Sequence, residues 1–158
     1  SAMPDDLPIQ PAAPRLPERV LAFDYGTKRM GVASGQPITA MGSPLAPVAA
    51  RDGIPEWEQV DALVKEHRPQ VFIVGNPLNM DGSVSELSLR SLKFARRLAA
   101  RYPAVPVYRQ DERLSTRAAR ETLAEVSQQR RGKLPSLDST AACHIVASWF
   151  AEPNWQRV

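Results

Sequence analysis

The stretch VLAFDYGTKRMGVA, Val20 to Ala33, decides the fold of this chain. An apolar run ends on Asp24, turns through Gly26 and the two cations Lys28 and Arg29, and enters a second apolar run. This pattern predicts a β-hairpin whose first strand ends on an acid. A carboxylate at the carboxyl end of a buried strand either accepts hydrogen bonds from the turn or holds a metal ion that faces a ligand.

The rest of the chain predicts an α/β fold with a five-stranded mixed sheet. A change from period two to period 3.6, with Gly and Pro at the breaks, separates strands from helices. Five strands are expected, at 20–24, 29–34, 38–42, 71–75 and 105–108, and the third has a broken continuation through 45–49. Four helices are expected, at 54–69, from Ser83 or Ser85 to 101, at 119–126 and at 138–150. The first three strands form an antiparallel meander, the last two are parallel, and helices cover both faces. Right-handed crossovers place strand 71–75 beside strand 20–24, so the loop after Gly75 and Asp24 share one crevice.

Length and composition are those of one soluble domain. The chain has 158 residues and a formal charge of +3, which favours an anionic partner. The single cysteine, Cys143, excludes a disulfide framework and a cysteine-based zinc site. Without a membrane span or a signal peptide, a cytoplasmic location is expected. Residues 19–151 are the expected domain; residues 1–18, with five prolines and a tag-like Ser1-Ala2 before Met3, are an expected disordered arm, and residues 152–158 an expected flexible tail.

Three acids from separate elements are expected at the carboxyl edge of the sheet. They are Asp24, Glu112 or its neighbour Asp111, and Asp138, which lies at helical spacing with the apolar residues of the last helix. Taken singly, Asp138 is explained as a helix cap and Asp111-Glu112 as a solvated loop. Together they form an oxygen-rich set that suits Mg²⁺ or Mn²⁺. Two such ions can activate a water and stabilise the leaving oxygen of a phosphodiester.

Cations are concentrated in the second half of the chain. In the helix that ends at 101, Leu87, Phe94 and Leu98 are expected on the core face. Another face carries a stripe of Arg90, Lys93, Arg97 and Arg101, which is an ordinary solvated face by itself, and Asp81-Gly82 is an ordinary turn pair. A nucleic-acid backbone is the alternative partner for these cations. The candidate phosphate contacts are Lys28, Arg29, Arg113 and the loop cations Arg130, Arg131 and Lys133.

Four blocks of the sequence resemble the YqgF family, also called RuvX. They are residues 23–33, 74–83, 111–116 and 137–142, within a resemblance that spans residues 20 to 150. The family is assigned to maturation of pre-16S rRNA and was earlier assigned to Holliday junction resolution. The resemblance implies a ribonuclease H-like fold and a metal-dependent nuclease with Asp24, Glu112 and Asp138 as its acids. It also matches Gly75, Asp81, Gly82 and Ser83 to the family's loop, while Asn76 and Leu134-Pro135-Ser136 depart from the family pattern.

The expected function is hydrolysis of phosphodiester bonds in structured nucleic acid, at the 5′ end of pre-16S rRNA. Cleavage of branched DNA is the near alternative, because a four-way shape and a 2′-hydroxyl leave no readable motif. A resolvase cuts symmetrically and needs a dimer, so both a monomer and a homodimer are open. Two further alternatives are less favoured. An actin-like ATPase shares the Asp-x-Gly-Thr turn, but such ATPases close two lobes over the nucleotide and this chain has the length of one. A non-catalytic RNA-binding module would not need the three acids.

Overall fold

The structure is a computed structural model that describes residues 19–36, 41–79, 81–111, 137–151 and 155–158. Within the described ranges, nothing is stated for the side chains of residues 41, 137–139 and 155. The strands are β1 Val20–Asp24, β2 Arg29–Gln36, β3 Met41–Arg51, β4 Ile54–Pro55, β5 Val71–Asn76, β6 Val107–Asp111 and β7 Trp155–Arg157. The helices are α1 Trp57–His67, α2 Glu86–Arg101 and α3 Leu137–Ala151.

The described strands form one mixed sheet in the order β4-β3-β2-β1-β5-β6-β7. β1, β2 and β3 pair antiparallel as the expected meander, and β5 pairs parallel to both β1 and β6. The predicted placement of strand 71–75 beside strand 20–24 is therefore confirmed. The carboxyl ends of β1, β5 and β6 meet at one edge of the sheet, which is where ligands bind in open α/β sheets.

Alternating side chains divide the core into two layers. On one face Leu21 and Phe23 pack with residues of α1 and α2 such as Val60 and Phe94. On the other face Ala22 packs with residues of α3, including Ala142. Helices on both faces of an α/β sheet are thus confirmed, and each position along β1 can be assigned to the α2 face or the α3 face.

Two strands, β3 and β6, differ clearly from their predicted form. β3 is one continuous strand, with Pro44 opposite Ala33 and a register shift between Met30 and Val32 of its partner. β6 begins at Val107 and ends at Asp111, so Asp111 belongs to the strand and does not follow it. Pro106 has no N–H to donate, so the hydrogen-bonded pairing of β6 begins only at Val107.

The sheet has seven described strands where five were predicted. β4 pairs with the end of β3 across the two-residue turn Asp52-Gly53, where both residues have positive φ. Such a turn matches the twist of a hairpin. β7 pairs antiparallel with β6, so Trp155–Arg157 of the expected flexible tail covers the edge of the sheet.

The helices mostly begin and end as their sequences predict. Ser85 caps α2, since its hydroxyl accepts from the Ser88 N–H at 2.9 Å. Leu87, expected in the core, is 42% exposed, while Phe94 and Leu98 are buried as expected. The helix expected at 119–126 lies outside the described residues. No described helix is long and apolar enough to cross a membrane.

Candidate active site

Asp24 is the last residue of β1 and lies on the α3 face of the sheet. Ala22, two residues earlier, packs in the α3 layer, and strand alternation gives Asp24 the same direction. The carboxylate is half-buried at the edge where the carboxyl ends of β1, β5 and β6 meet. The predicted location of this acid, at the end of the first strand and beside the loop after Gly75, is the observed one.

Glycines flank Asp24 on both neighbouring strands. Gly31 of β2 is its cross-strand partner. On the other side, Phe23 lies opposite Val74, which brings Gly75 of β5 level with Asp24. Because residues level with each other in a sheet share a face, neither neighbour carries a side chain beside the carboxylate. A Cβ at either position would fill space next to the acid, so the two glycines leave room for a ligand beside the Asp24 carboxylate.

The same row continues to Gln110 of β6, which lies opposite Gly75. Gln110 is fully buried, and its polar side chain shares the α3 face with Asp24. Two strand spacings separate their backbones, about 10 Å. Nothing in the sequence pattern singled out Gln110; the available signal was its even spacing from Tyr108 within β6.

The turn after β1 is held by the β3–β4 hairpin. The Gly53 N–H donates to the Thr27 carbonyl at 2.9 Å and the Ala50 N–H donates to the Lys28 carbonyl at 2.8 Å. A Cβ on Gly26 would overlap the Arg29 carbonyl, and a Cβ on Gly53 would overlap the Tyr25 hydroxyl. Glycine is required at both positions by close approach, and the turn presents the side chains of Lys28 and Arg29 to solvent.

Asp111 lies on the opposite face from Asp24. It is level with Asn76, whose side chain points toward α2, and both residues are buried. Strand alternation therefore directs the Asp111 and Asp24 side chains to opposite faces of the sheet, which favours Glu112 over Asp111 as the second acid. Glu112, the other residue considered as the second acid, lies outside the described residues.

Asp138 is the second residue of α3, the helix that covers the Asp24 face. The helix approaches the sheet closely, since a Cβ on Gly42 would lie 2.7 Å from the Cys143 Cα. Asp138 therefore lies in the first turn of the helix that packs on the Asp24 face, and its role as the third acid stays a prediction. Its side chain is among those not described.

The loop after β5 is organised by Asp81. Its carboxylate accepts from the Ser83 N–H at 2.8 Å and from the Ser83 hydroxyl at 2.6 Å. The Gly82 N–H donates to the Asn79 carbonyl at 2.8 Å, and φ at Gly82 is +90°. These contacts give Asp81 the structural role of a turn residue, the ordinary alternative for an Asp-Gly pair.

A buried arginine links the end of β5 to α2. Arg109 of β6 donates to the Asn76 side chain at 2.8 Å, to the Ser88 carbonyl at 2.8 Å and to the Ser91 hydroxyl at 2.8 Å. Burial, and secondarily repulsion from Arg96, lowers the pKa of the Arg109 guanidinium. Asn76 also accepts from the Ser88 hydroxyl, so the departure from the family pattern at Asn76 serves this network on the face away from Asp24.

The structure places only part of the predicted site. Among the described side chains, no three of His, Cys, Asp or Glu form a group that could hold a metal ion. Asp24, Lys28, Arg29, Gly82 and Ser83 lie along the carboxyl edge. The remaining candidates, Glu112, Arg113, Arg130, Arg131 and Lys133, lie outside the described residues.

Comparison with known proteins agrees with this architecture. The family model described as "RuvX: Holliday junction resolvase" matches residues 18–152. A relative from Acinetobacter baylyi named "Putative pre-16S rRNA nuclease" is 45% identical over 137 residues, which cover 87% of this chain and 92% of the relative. A relative of the same name from Hahella chejuensis is 49% identical over 131 residues, covering 83% and 82%.

Solved structures of Thermus thermophilus RuvC have the same fold. RuvC in complex with a Holliday junction substrate superposes with a TM-score of 0.53 at 17% identity, covering 89% of this chain and 99% of RuvC. A second RuvC structure gives 0.54 at 15% identity. This likeness confirms the predicted ribonuclease H-like fold. The description of the family model and the name of the two relatives both refer to nucleases. The predicted enzyme class, a hydrolase of phosphodiester bonds, is therefore confirmed at the level of the family. With a family model that covers nearly the whole described fold and relatives above 40% identity, this chain belongs to the RuvX family.

Proposed function

We propose that this protein is a metal-dependent endonuclease that matures the 5′ end of pre-16S rRNA in the cytoplasm. The observation that carries the proposal is the row of Asp24 between Gly31 and Gly75 at the carboxyl edge of a ribonuclease H-like sheet. The names of relatives at 45% and 49% identity support RNA as the substrate.

The donor chemistry at this edge fits a hard divalent cation. Asp24 supplies carboxylate oxygens, and the two flanking glycines leave room beside them. We assign Glu112 as the second ligand. Tyr108 and Gln110 of β6 lie on the Asp24 face, and Glu112 is the next residue of the sequence at this two-residue spacing. Asp138 would be the third ligand, from the start of α3.

One or two ions of Mg²⁺ or Mn²⁺, when bound, would lower the pKa of a water and neutralise charge on the leaving oxygen. The residues of the chain itself do the positioning. Lys28 and Arg29, exposed on the turn after Asp24, are suited to contact the phosphates that flank the cleavage point. The β3–β4 hairpin holds that turn through the Thr27 and Lys28 carbonyls, so the cations are presented from a fixed backbone.

Cleavage of branched DNA is the second candidate. It is favoured by the description of the family model and by the fold shared with a RuvC structure that contains a Holliday junction. A resolvase cuts two strands symmetrically and therefore acts as a dimer, whereas maturation of a single RNA end requires no symmetry. A monomeric protein that cuts RNA would decide for the first candidate.

The test is a cleavage assay with Mg²⁺ or Mn²⁺ on a pre-16S rRNA precursor and on a DNA four-way junction. Wild type is compared with Asp24→Asn and with Asp52→Asn, a matched change at an exposed turn residue of the β3–β4 hairpin. We expect cleavage of the RNA alone, lost in Asp24→Asn and kept in Asp52→Asn. Cleavage of the junction alone would transfer the proposal to the resolvase, and binding without cleavage of either substrate would overturn both.

A further inference from the structure

The cations of α2 are divided into two groups by their partners. On the flank that faces α1 and the β3–β4 hairpin, carboxylates neutralise them: Arg101 pairs with Asp61 at 2.6 Å and Arg90 with Asp52 at 3.6 Å. Lys93, Arg96 and Arg97 are exposed. Within the described part of the chain, none of these three forms an ion pair.

The three unpaired cations form one outward stripe. Their spacing of i, i+3 and i+4 places them side by side on a helix. The buried side of α2 is made by other positions, including Ser91, Phe94 and Leu98. Like charges at these spacings destabilise an isolated helix, and here no described acid relieves them. A surface that keeps this repulsion is complementary to a polyanion.

The buried Arg109 lies against the inner side of this part of α2. Repulsion from Arg96 is, after burial, the second cause that lowers the pKa of Arg109. The described hydrogen bonds of Arg109 go to neutral groups of Asn76, Ser88 and Ser91, none of which cancels its charge. Asp111, buried on the same face two residues along β6, has the opposite charge, so the positive surface consists of the exposed cations of α2 and Arg109 has a structural role beneath them.

The stripe is separate from the Asp24 row. α2 covers the face opposite to the one on which Asp24 lies, and Arg96 is ten residues into the helix, about 15 Å along its axis from the start. One phosphate cannot contact both places. A substrate held by the stripe must be large and folded enough to extend from one face of the sheet to the other.

We propose that Lys93, Arg96 and Arg97 form a second phosphate-binding surface, which holds a part of the structured RNA substrate remote from the cleavage point. This inference rests on the proposed function for the identity of the polyanion. Because phosphate contacts carry no sequence information, the surface contributes affinity and orientation, and the Asp24 edge contributes the chemistry.

The test measures binding of a pre-16S rRNA stem to the Asp24→Asn protein, by fluorescence anisotropy between 50 and 300 mM KCl. The variant is Arg96→Gln/Arg97→Gln, which keeps helix propensity. The control is Lys65→Gln/Arg68→Asn, which removes the same charge from exposed positions on and beside α1; asparagine tolerates the positive φ of residue 68. Thermal unfolding midpoints of both variants confirm that they are folded.

We expect the α2 variant to lose affinity by roughly ten- to a hundredfold at 100 mM salt and to reduce the log–log salt slope by about 2, as for two lost phosphate contacts. The control should change affinity by less than about threefold. In the active protein the α2 variant should raise KM and leave kcat unchanged, because remote contacts act on binding alone.

Equal effects of the two variants, with RNA still bound and cleaved, would overturn this inference and leave the proposed function intact. Failure of the Asp24→Asn protein to bind RNA under any of these conditions would overturn both.

Discussion

Asp111 and Glu112 are adjacent in the sequence, and we propose Glu112 as the metal ligand. Asp111 is buried on the α2 face, level with Asn76 and on the face opposite to that of Asp24. We expect Glu112→Gln to lower metal-dependent cleavage by at least about a thousandfold, as for a lost group that acts on the transition state, with little change in stability. Asp111→Asn should keep cleavage within about tenfold and lower the free energy of unfolding by roughly 1–2 kcal/mol. Cleavage rates and urea unfolding of both variants measure this, and the reverse pattern would assign the ligand to Asp111.

Arg109 is the buried residue whose loss should affect stability most. Its guanidinium donates to three buried acceptors, on Asn76, Ser88 and Ser91. We expect Arg109→Met to lower the free energy of unfolding by about 3 kcal/mol, because each of these groups loses a buried hydrogen bond from a charged donor. Exposed Arg96→Gln is the matched control and should change stability by less than about 0.5 kcal/mol. Denaturant unfolding compares the two, and equal small losses would show that the network is replaceable.

At the scale of elements, hydrophobic periodicity was sufficient to predict the central strands and the helices. Val71–Asn76 and Leu137–Ala151 have the apolar patterns of a buried strand and a core helix. The same signal failed for β4 and β7, which are two and three residues long and are defined by pairing with β3 and β6. It also misjudged the inner face of α2, where Ser88 and Ser91 are buried because Arg109 lies against them. The polar partners of a buried arginine come from distant parts of the chain, so local pattern cannot reveal them.

The position of Asp24 was predictable for a related reason. An acid that ends an apolar strand marks the edge of the sheet, and Asp24 is found there. The places of Gly31 and Gly75 beside Asp24 follow only from strand register. Gly31 pairs with Asp24 across the β1–β2 hairpin, and Gly75 is level with Asp24 in the parallel pairing of β1 and β5. Gln110 joins the same row through a second parallel pairing.

The contact between α1 and α2 should titrate at both ends of the pH range. Hydrogen bonds from Arg101 and Tyr102 hold the pKa of the Asp61 carboxyl near 2, below its ordinary 3.8. The unfolded chain then binds the proton first, so this contribution is present above pH 4 and is lost as the pH falls toward 2. Burial, and next its hydrogen bond to Asp61, raises the pKa of Tyr102 from 10.0 to about 12. The neutral phenol therefore stabilises the fold below pH 10, and that contribution is lost as the pH rises toward 12.

Thermal unfolding of wild type and Asp61→Asn across these ranges tests the contact. The difference between their midpoints should shrink between pH 4 and pH 2, because protonation of Asp61 removes what the substitution has already removed. Asp52→Asn, which changes an exposed acid paired with Arg90 at 3.6 Å, should show a smaller difference with less pH dependence. If the difference between the midpoints of wild type and Asp61→Asn stayed constant from pH 4 to pH 2, Asp61 would be excluded as the titrating group.

At the scale of the whole molecule, Asp24 and the unpaired cations of α2 lie on different faces of the sheet. The Asp24 row lies on the α3 face at the carboxyl edge, and the unpaired cations of α2 lie on the opposite layer. With a net charge of only +3, the attraction to nucleic acid depends on this distribution more than on the total. A folded RNA can contact both faces, and a short single strand cannot, so substrate structure should matter more than length.

The proposed metal site would make the stability of the whole domain depend on its cation. If Asp24, Glu112 and Asp138 hold Mg²⁺ or Mn²⁺ only in the folded state, free ion at ten times its Kd should stabilise the fold by about 1.4 kcal/mol. For a domain of this size that raises the Tm by about 3–6 °C. Asp24→Asn should abolish the shift, and it should slightly raise the Tm of the metal-free protein because it removes one repelling charge.

Thermal unfolding with increasing Mn²⁺, Mg²⁺ or Ca²⁺ measures the shift without any need for substrate or turnover. Asp52→Asn should keep the full shift, since its carboxylate lies on the β3–β4 turn and pairs with Arg90. An equal shift in wild type and Asp24→Asn would place the ion elsewhere on the protein. If neither wild type nor Asp24→Asn showed a shift of the Tm at millimolar ion, stable binding of a cation by the free protein would be excluded. The acids would then bind the ion only when phosphates of the substrate complete its coordination, and the cleavage assay would be the remaining test of the metal ligands.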